Sequence, residues 1–173
     1  MPVVLCYGDS NTYGRDARTK GRLPKRERWP GVMQKGLGEE GLNGRTTVWD
    51  DPVRGGSKRN GGQYLLPCLE SHSPLDLVML MLGTNDCKAR FAVTAHDIAQ
   101  SIGYLIEIVR FSKCGQNGAT PRDYQDIASQ YGCDFFDTAS VSQASRVDGL
   151  HIDPEDHRKL GEALAELVRK VTA

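Results

Sequence analysis

The sequence has few aromatic residues, 7%, and no excess of either charge, since 22 Lys and Arg offset 22 Asp and Glu. A base-stacking surface and a general polyanion binder are disfavoured, so no nucleic-acid partner is expected. No stretch approaches the roughly 18 apolar residues of a membrane helix, and no membrane association is expected. The opening "MPVVLCYGDS" has no basic region followed by a long apolar segment, which argues against a secretory signal. The cysteines (Cys6, Cys68, Cys87, Cys114 and Cys133) form no CxxC, and HExxH and Cys/His clusters are missing. The expectation is therefore reduced thiols in a cytoplasmic protein with no metal and no cofactor. The Gly-rich "DDPVRGGSKRNGGQ", residues 50–63, lacks Walker spacing and reads as a loop rather than a nucleotide cradle. No G-x-S-x-G surrounds Ser10, which excludes the nucleophile elbow of the α/β-hydrolases.

What is present fits one domain spanning 1–173, long enough to bury a sizeable core. "VVLCY", 3–7, is continuously apolar and β-rich, as in a strand buried on both faces. "LDLVMLML", 75–82, repeats the pattern more strongly, and "CDFFD", 133–137, is a shorter third candidate. Helical periodicity lies between them. Trp29, Val32, Met33 and Leu37 mark a helix over 28–37. Ile98, Ile102, Leu105, Ile106 and Val109 mark one over 94–111, with Thr94 as N-cap and Asp97 at N3. Thr120 and Pro121 suggest another start. The last helix has Asp153 as cap, Pro154 at N1 and Glu155 and Asp156 in its first turn. Leu160, Leu164, Leu167, Val168 and Val171 are its expected buried face. Alternating strands and helices imply a parallel sheet with helices on both faces, whose ligand sites lie beyond the carboxyl ends of the strands. The basic "RDARTKGRLPKRER", 15–28, reads as a solvated loop, or as a lid or subunit contact over such a site.

Both "GDSN" and "GTND" follow apolar strands, so Ser10 and Asn85 converge on one sheet edge. A serine nucleophile needs a base, an orienting acid and oxyanion donors. "VDGLHIDPEDH" places Asp148 three residues before His151, a spacing that lets the carboxylate fix the imidazole tautomer and leave its other nitrogen for Ser10. Each piece alone has a bland reading: Ser10 as a helix cap, Asn85 as a turn residue and Asp148–His151 as a surface loop. His157 reads as solvated on the exposed side of the last helix, and His72 and His96 as ordinary residues near helix starts.

Jointly, "GDS" after the first strand, "GTND" after a central strand and "DGLH" before the last helix resemble the SGNH, or GDSL-type, hydrolases in order and placement. "EGLNGRTT" supplies the family's glycine block with Gly44. That stretch, with "DDP" and "PLDLVMLMLGTND", further resembles the intracellular arylesterase and acyltransferase branch. The resemblance implies a three-layer α/β/α, flavodoxin-like fold around a parallel sheet of strand order 2-1-3-4-5. It also implies a serine esterase for small acyl esters of acetyl or aryl type, with acyl transfer to alcohols as an added capacity. By position, Ser10 would be nucleophile, His151 general base and Asp148 its orienting acid. The oxyanion hole would be the Ser10 and Gly44 N–H groups with the Asn85 amide. Asp9 would be structural, and Tyr13, Thr84 and Leu150 would border the acyl site.

Two strands of that pattern have no clear counterpart. "QKGLGEEGL" is too polar and Gly-rich for family strand 2, and "RFSKCGQNGATPRDY" runs straight past family strand 4. Either segments are absent near Gly38–Gly41 and Lys113–Gly118, or the chain is shortened and its sheet rearranged or completed by a partner subunit. A homo-oligomer through the basic and Gly-rich loops is an open expectation. The competing functional readings are a flavodoxin-like phosphate or flavin-binding module, with "GDSNTYG" as anion loop, and a catalytically inactive relative used as a scaffold.

Overall fold

The computed structural model describes residues 3–33, 38–112, 114, 129–132 and 134–172. Among them, three parallel strands form a sheet of order β2-β1-β3: β1 (Val4–Gly8), β2 (Gly38–Gly41) and β3 (Leu77–Met81). This reproduces the 2-1-3 half of the expected order. The helices are α1 (Ser10–Tyr13), α2 (Trp29–Met33), α3 (Gly61–His72), α4 (Ala95–Phe111) and α5 (Pro154–Val171).

β1 is central and wholly buried. Its side chains alternate, as the pleat requires. Leu5 and Tyr7 enter a core with Leu65, Leu69, Ile102, Leu105 and Ile106 of α3 and α4. Val4 and Cys6 enter a second core with Trp29, Met33, Leu160, Leu164 and Val168 of α2 and α5. β3 alternates likewise, with Val78 and Leu80 against the first core and Leu77, Met79 and Met81 against the second. A continuously apolar strand between two helical layers is thus the physical basis of the three-layer fold.

β2 corrects the expectation that family strand 2 is missing. Gly38–Gly41, "GEEG", pairs in parallel register with Leu5–Gly8. Its glycines permit an approach that side chains would block: a Cβ on Gly41 would lie 2.1 Å from the Tyr13 nitrogen. The charge on Glu39 is met by the buried Arg28 guanidinium at 2.5 Å and by Arg22 at 3.4 Å. The basic segment is accordingly not simply solvated: Ala17, Leu23 and Arg28 are buried.

Residues 134–137 form no strand; Cys133 and the suggested start at Thr120–Pro121 lie outside the described residues. Among the described residues no strand lies beside this segment, and Asp137 caps a short 3-10 turn, Thr138–Ser140. Between this segment, β3 and α5 lies a mostly apolar cavity of about 360 Å³ lined by Trp29, Met79, Met81, Phe136, Leu164 and Val168, among others. It occupies the side of β3 on which family strand 4 is expected.

The described helices follow their signals, with four corrections; Leu37, expected on the helix over 28–37, lies outside the described residues. Thr94 and Asp97 form a full capping box on α4. α3 starts at Gly61, inside the stretch read as a loop, because the Asn60 side chain accepts the Gln63 N–H and caps it. His72 therefore sits at a helix end, not a start. Asp153 occupies the cap position of α5 without a side-chain capping bond, leaving Pro154 at N1 to set the turn. Val171 is exposed.

The fourth correction concerns His157, which is 0% exposed. Its Nδ1 accepts the Trp29 N–H at 3.3 Å, joining α5 to the first turn of α2. Burial, with the nearby Arg28 charge, lowers its pKa from 6.5 to about 4. The unfolded chain therefore binds more protons than the folded one between these values, so stability falls as pH drops from about 6.5 to 4, by up to ~3 kcal/mol. Asp9 opposes this in part: burial raises its pKa from 3.8 to about 6, a contribution present at low pH and lost as pH rises through that window. Denaturant unfolding of wild type and His157→Asn, which keeps an acceptor near the Trp29 N–H, isolates the histidine. Their stability difference is expected to shift in the variant's favour on acidification. A difference independent of pH would show that His157 does not titrate in this range.

Candidate active site

The carboxyl ends of β1 and β3 face the loop before α5. β1 ends at Gly8, and Asp9 then turns the chain: its side chain accepts the Asn11 N–H at 2.9 Å, starting the single-turn helix α1 on Ser10. One turn aligns few peptide dipoles, which weakens the reading of this stretch as an anion-binding helix terminus. Gly14, with φ +77°, ends α1 in the left-handed conformation that glycine tolerates.

Asp148, Gly149 and Leu150 form a tight turn in which Gly149 takes φ +65°. Asp148 Oδ1 accepts the Leu150 and His151 N–H groups at 3.1 and 3.0 Å. Its Oδ2 lies 2.8 Å from His151 Nδ1. The bond to His151, helped by the two backbone donors, holds the Asp148 carboxyl well below the usual carboxylate range. An ionised Asp148 can only accept, so the imidazole proton sits on Nδ1. Nε2 then presents its lone pair to Ser10 Oγ at 3.1 Å. The structure thus brings together Ser10, His151 and Asp148 in one hydrogen-bonded chain.

The expected oxyanion donors gather around the same serine loop. Gly44 sits in a turn at φ +79° after β2, anchored by Leu42 N–H donating to the Gly8 carbonyl at 3.1 Å. The Ser10 and Gly44 N–H groups have no hydrogen-bond acceptor among the described residues. Asn85 is buried, and its Nδ2 donates to the Arg45 carbonyl at 3.0 Å and faces Asp9 Oδ2 at a long 3.4 Å. Its Oδ1 accepts from Lys88 Nζ. Thr84, beyond the end of β3, lies close enough to Asp9 for its hydroxyl to lower the Asp9 pKa against the effect of burial.

The acyl-site residues are less closely assembled. Leu150, expected at the acyl site, is 40% exposed, and its carbonyl accepts from Asn11 Nδ2. The Tyr13 ring is covered by the Arg22 guanidinium at 4.3 Å, and the Tyr13 carbonyl accepts from Arg22 Nε at 2.8 Å. Lys20, from the basic segment, reaches Asp148 Oδ2 at 3.5 Å.

Several positioning residues escaped the sequence reading. Asn11 ties the serine turn to the histidine loop: its Oδ1 accepts the Ile152 N–H at 3.2 Å and its Nδ2 donates to the Leu150 carbonyl at 3.4 Å. Arg45 is buried over the Tyr7 ring at 4.1 Å and donates to the Gly8 and Glu40 carbonyls, bracing the turn that carries Gly44. Asp86, next to Asn85, accepts the Thr47 N–H at 2.8 Å and its hydroxyl at 2.6 Å. The only available signal was adjacency to the motif blocks; their roles depend on contacts between distant segments.

No helix among the described residues is long and apolar enough to cross a membrane. No curated protein matches the sequence significantly. Among solved structures, a carbohydrate acetylesterase family member from Sinorhizobium meliloti is 34% identical with TM-score 0.90, covering 98% of both chains. The inhibitor-bound aryl esterase of M. smegmatis is 34% identical with TM-score 0.89, covering 98% of this chain and 99% of that one. The GDSL-like lipase/acylhydrolase family matches residues 6–163. The fold, the clustered motif blocks and these likenesses lead to one conclusion: the chain belongs to the GDSL-like lipase/acylhydrolase family and is a carboxylic ester hydrolase.

Proposed function

We propose that the chain hydrolyses small acyl esters, of acetyl or aryl-ester type, through a Ser10-His151-Asp148 triad and an acyl-enzyme. The observation that carries this reading is the continuous relay from Asp148 Oδ2 through His151 to Ser10 Oγ. His151 Nε2 takes the Ser10 proton as Oγ attacks the ester carbonyl, and Asp148 stabilises the imidazolium. The N–H groups of Ser10 and Gly44 and the Asn85 amide receive the oxyanion, for which Asn85 relaxes its long contact to Asp9. His151 returns the proton to the leaving alcohol. Water, deprotonated by His151, then attacks the acyl carbonyl and regenerates Ser10. The acetylesterase and aryl-esterase likenesses favour a short acyl group.

Transfer to an added alcohol is the finer part of this reading. Water and an added alcohol would compete for the same acyl-enzyme. The direct test is intact-mass analysis after treatment with an alkyl fluorophosphonate. A single adduct mapping to Ser10 is expected. No adduct would favour an inactive scaffold, and an adduct elsewhere would reassign the nucleophile.

Asn11→Ala tests the positioning of the two loops. The triad side chains remain, but the bonds joining the serine turn to Leu150 and Ile152 are lost. A shift of about 1 Å can cost ~100-fold in rate, so kcat is expected to fall by about that factor with KM little changed. Unchanged kcat would remove Asn11 from the positioning set.

A further inference from the structure

One cluster of ligating side chains lies outside the proposed ester chemistry. Glu40 on β2 and Cys68 and His72 on α3 bring a carboxylate oxygen, a sulfur and an imidazole nitrogen within 4.8 Å of one another. Cys68 and His72 are four residues apart, so one helix face carries both. Gly38 makes room for the ring, because a Cβ there would lie 2.9 Å from His72 Cδ2.

The hydrogen bonding orients the imidazole. His72 Nδ1 lies 2.9 Å from the Cys68 carbonyl oxygen, which can only accept, so the ring carries a proton on Nδ1. Nε2 faces Glu40 Oε1 at 3.5 Å. With Nδ1 so engaged, Nε2 and the carboxylate present two lone pairs to the same space, which is an arrangement that a metal ion can occupy. The Cys68 sulfur, 3.9 Å from Nδ1 of the same ring, adds a soft donor to the cluster. A thiolate, an imidazole and a carboxylate suit a zinc-type ion and are a poor set for magnesium or calcium. An Nδ1–H bonded to a carbonyl is also the outer contact that commonly orients a metal-binding histidine.

We propose that Glu40, Cys68 and His72 bind one zinc-type divalent cation through the carboxylate, Sγ and Nε2, with water as fourth ligand. On binding, the Cys68 thiol releases its proton to solvent as the metal–sulfur bond forms, with no change of oxidation state. The ion would clip β2, a short strand without apolar side chains, to α3. It would thereby steady the turn that leads from Glu40 to Gly44.

Cobalt(II) titrated into the full chain reports the site. One equivalent is expected to produce a thiolate-to-cobalt charge-transfer band in the near ultraviolet. Cys68→Ser should abolish the band. Glu40→Gln and His72→Gln, at less buried positions, should weaken cobalt binding by at least the ~10- to 100-fold that losing an outer-shell partner costs. Circular dichroism of each metal-free variant establishes that it is folded. Absence of the band in wild type, its persistence in Cys68→Ser, or unchanged affinity in both glutamine variants would overturn the proposal.

Discussion

Ser10→Ala is expected to lower kcat/KM for a small aryl acetate by ~10⁴- to 10⁶-fold, with the fold intact. The side-chain hydroxyl is the atom that would carry the acyl group, and no other described hydroxyl is hydrogen-bonded to His151. What survives is the rate supplied by binding and oxyanion donors alone, which is why the fall is large but finite. The structural cost is small. Ser10 Oγ bonds His151, whereas the turn itself is held by Asp9 accepting from Asn11 and by Gly14 N–H donating to the Ser10 carbonyl. Matched circular dichroism and phenol release by the two proteins checks this. Equal turnover would sink the proposed mechanism while leaving the family assignment in place.

Asp148→Asn is expected to be nearly as damaging, at about 10⁴-fold in kcat, for a different reason. The asparagine oxygen can still accept the Leu150 and His151 N–H groups, so the turn persists. Its NH₂ then replaces the oxygen that faces His151 Nδ1 at 2.8 Å, and a donor there requires Nδ1 to accept. The imidazole proton moves to Nε2, facing Ser10, and the base is in the wrong tautomer when it is needed. Steady-state kinetics with an aryl acetate, alongside thermal unfolding, separates this from collapse of the loop. Retained stability with wild-type kcat would show that Asp148 does not control the tautomer.

These two predictions share a property of the chain: their residues are legible because their local geometry is short-range. Asp148 and His151 are three positions apart, and Gly149 at φ +65° supplies the turn that joins them. Ser10 follows a strand whose burial on both faces is written in its continuous apolar run. The capping box at Thr94 and Asp97 and Pro154 at the head of α5 are equally local. In each case backbone sterics or a neighbouring side chain decides, and the information lies within a few residues.

Long-range pairing decided the rest. β2 looks like a poor strand because "GEEG" has neither β-branched nor aromatic residues. It pairs with β1 because glycine admits the close approach to α1 and because Arg22 and Arg28, far back in the chain, meet Glu39. His157 looked solvated because helical periodicity cannot show that α2 would cover it and donate the Trp29 N–H. Asn11 and Arg45 matter only once the loops they bridge have met. Glu40 joins Cys68 and His72 only when β2 lies beside α3. The sequence by itself determined the two apolar strands, the capping box of α4, the serine loop and the Asp–His turn, because their physics is local. The tertiary structure alone decided which charges are neutralised, which histidine is dry and how the distant loops assemble, because those outcomes depend on partners that come together only on folding.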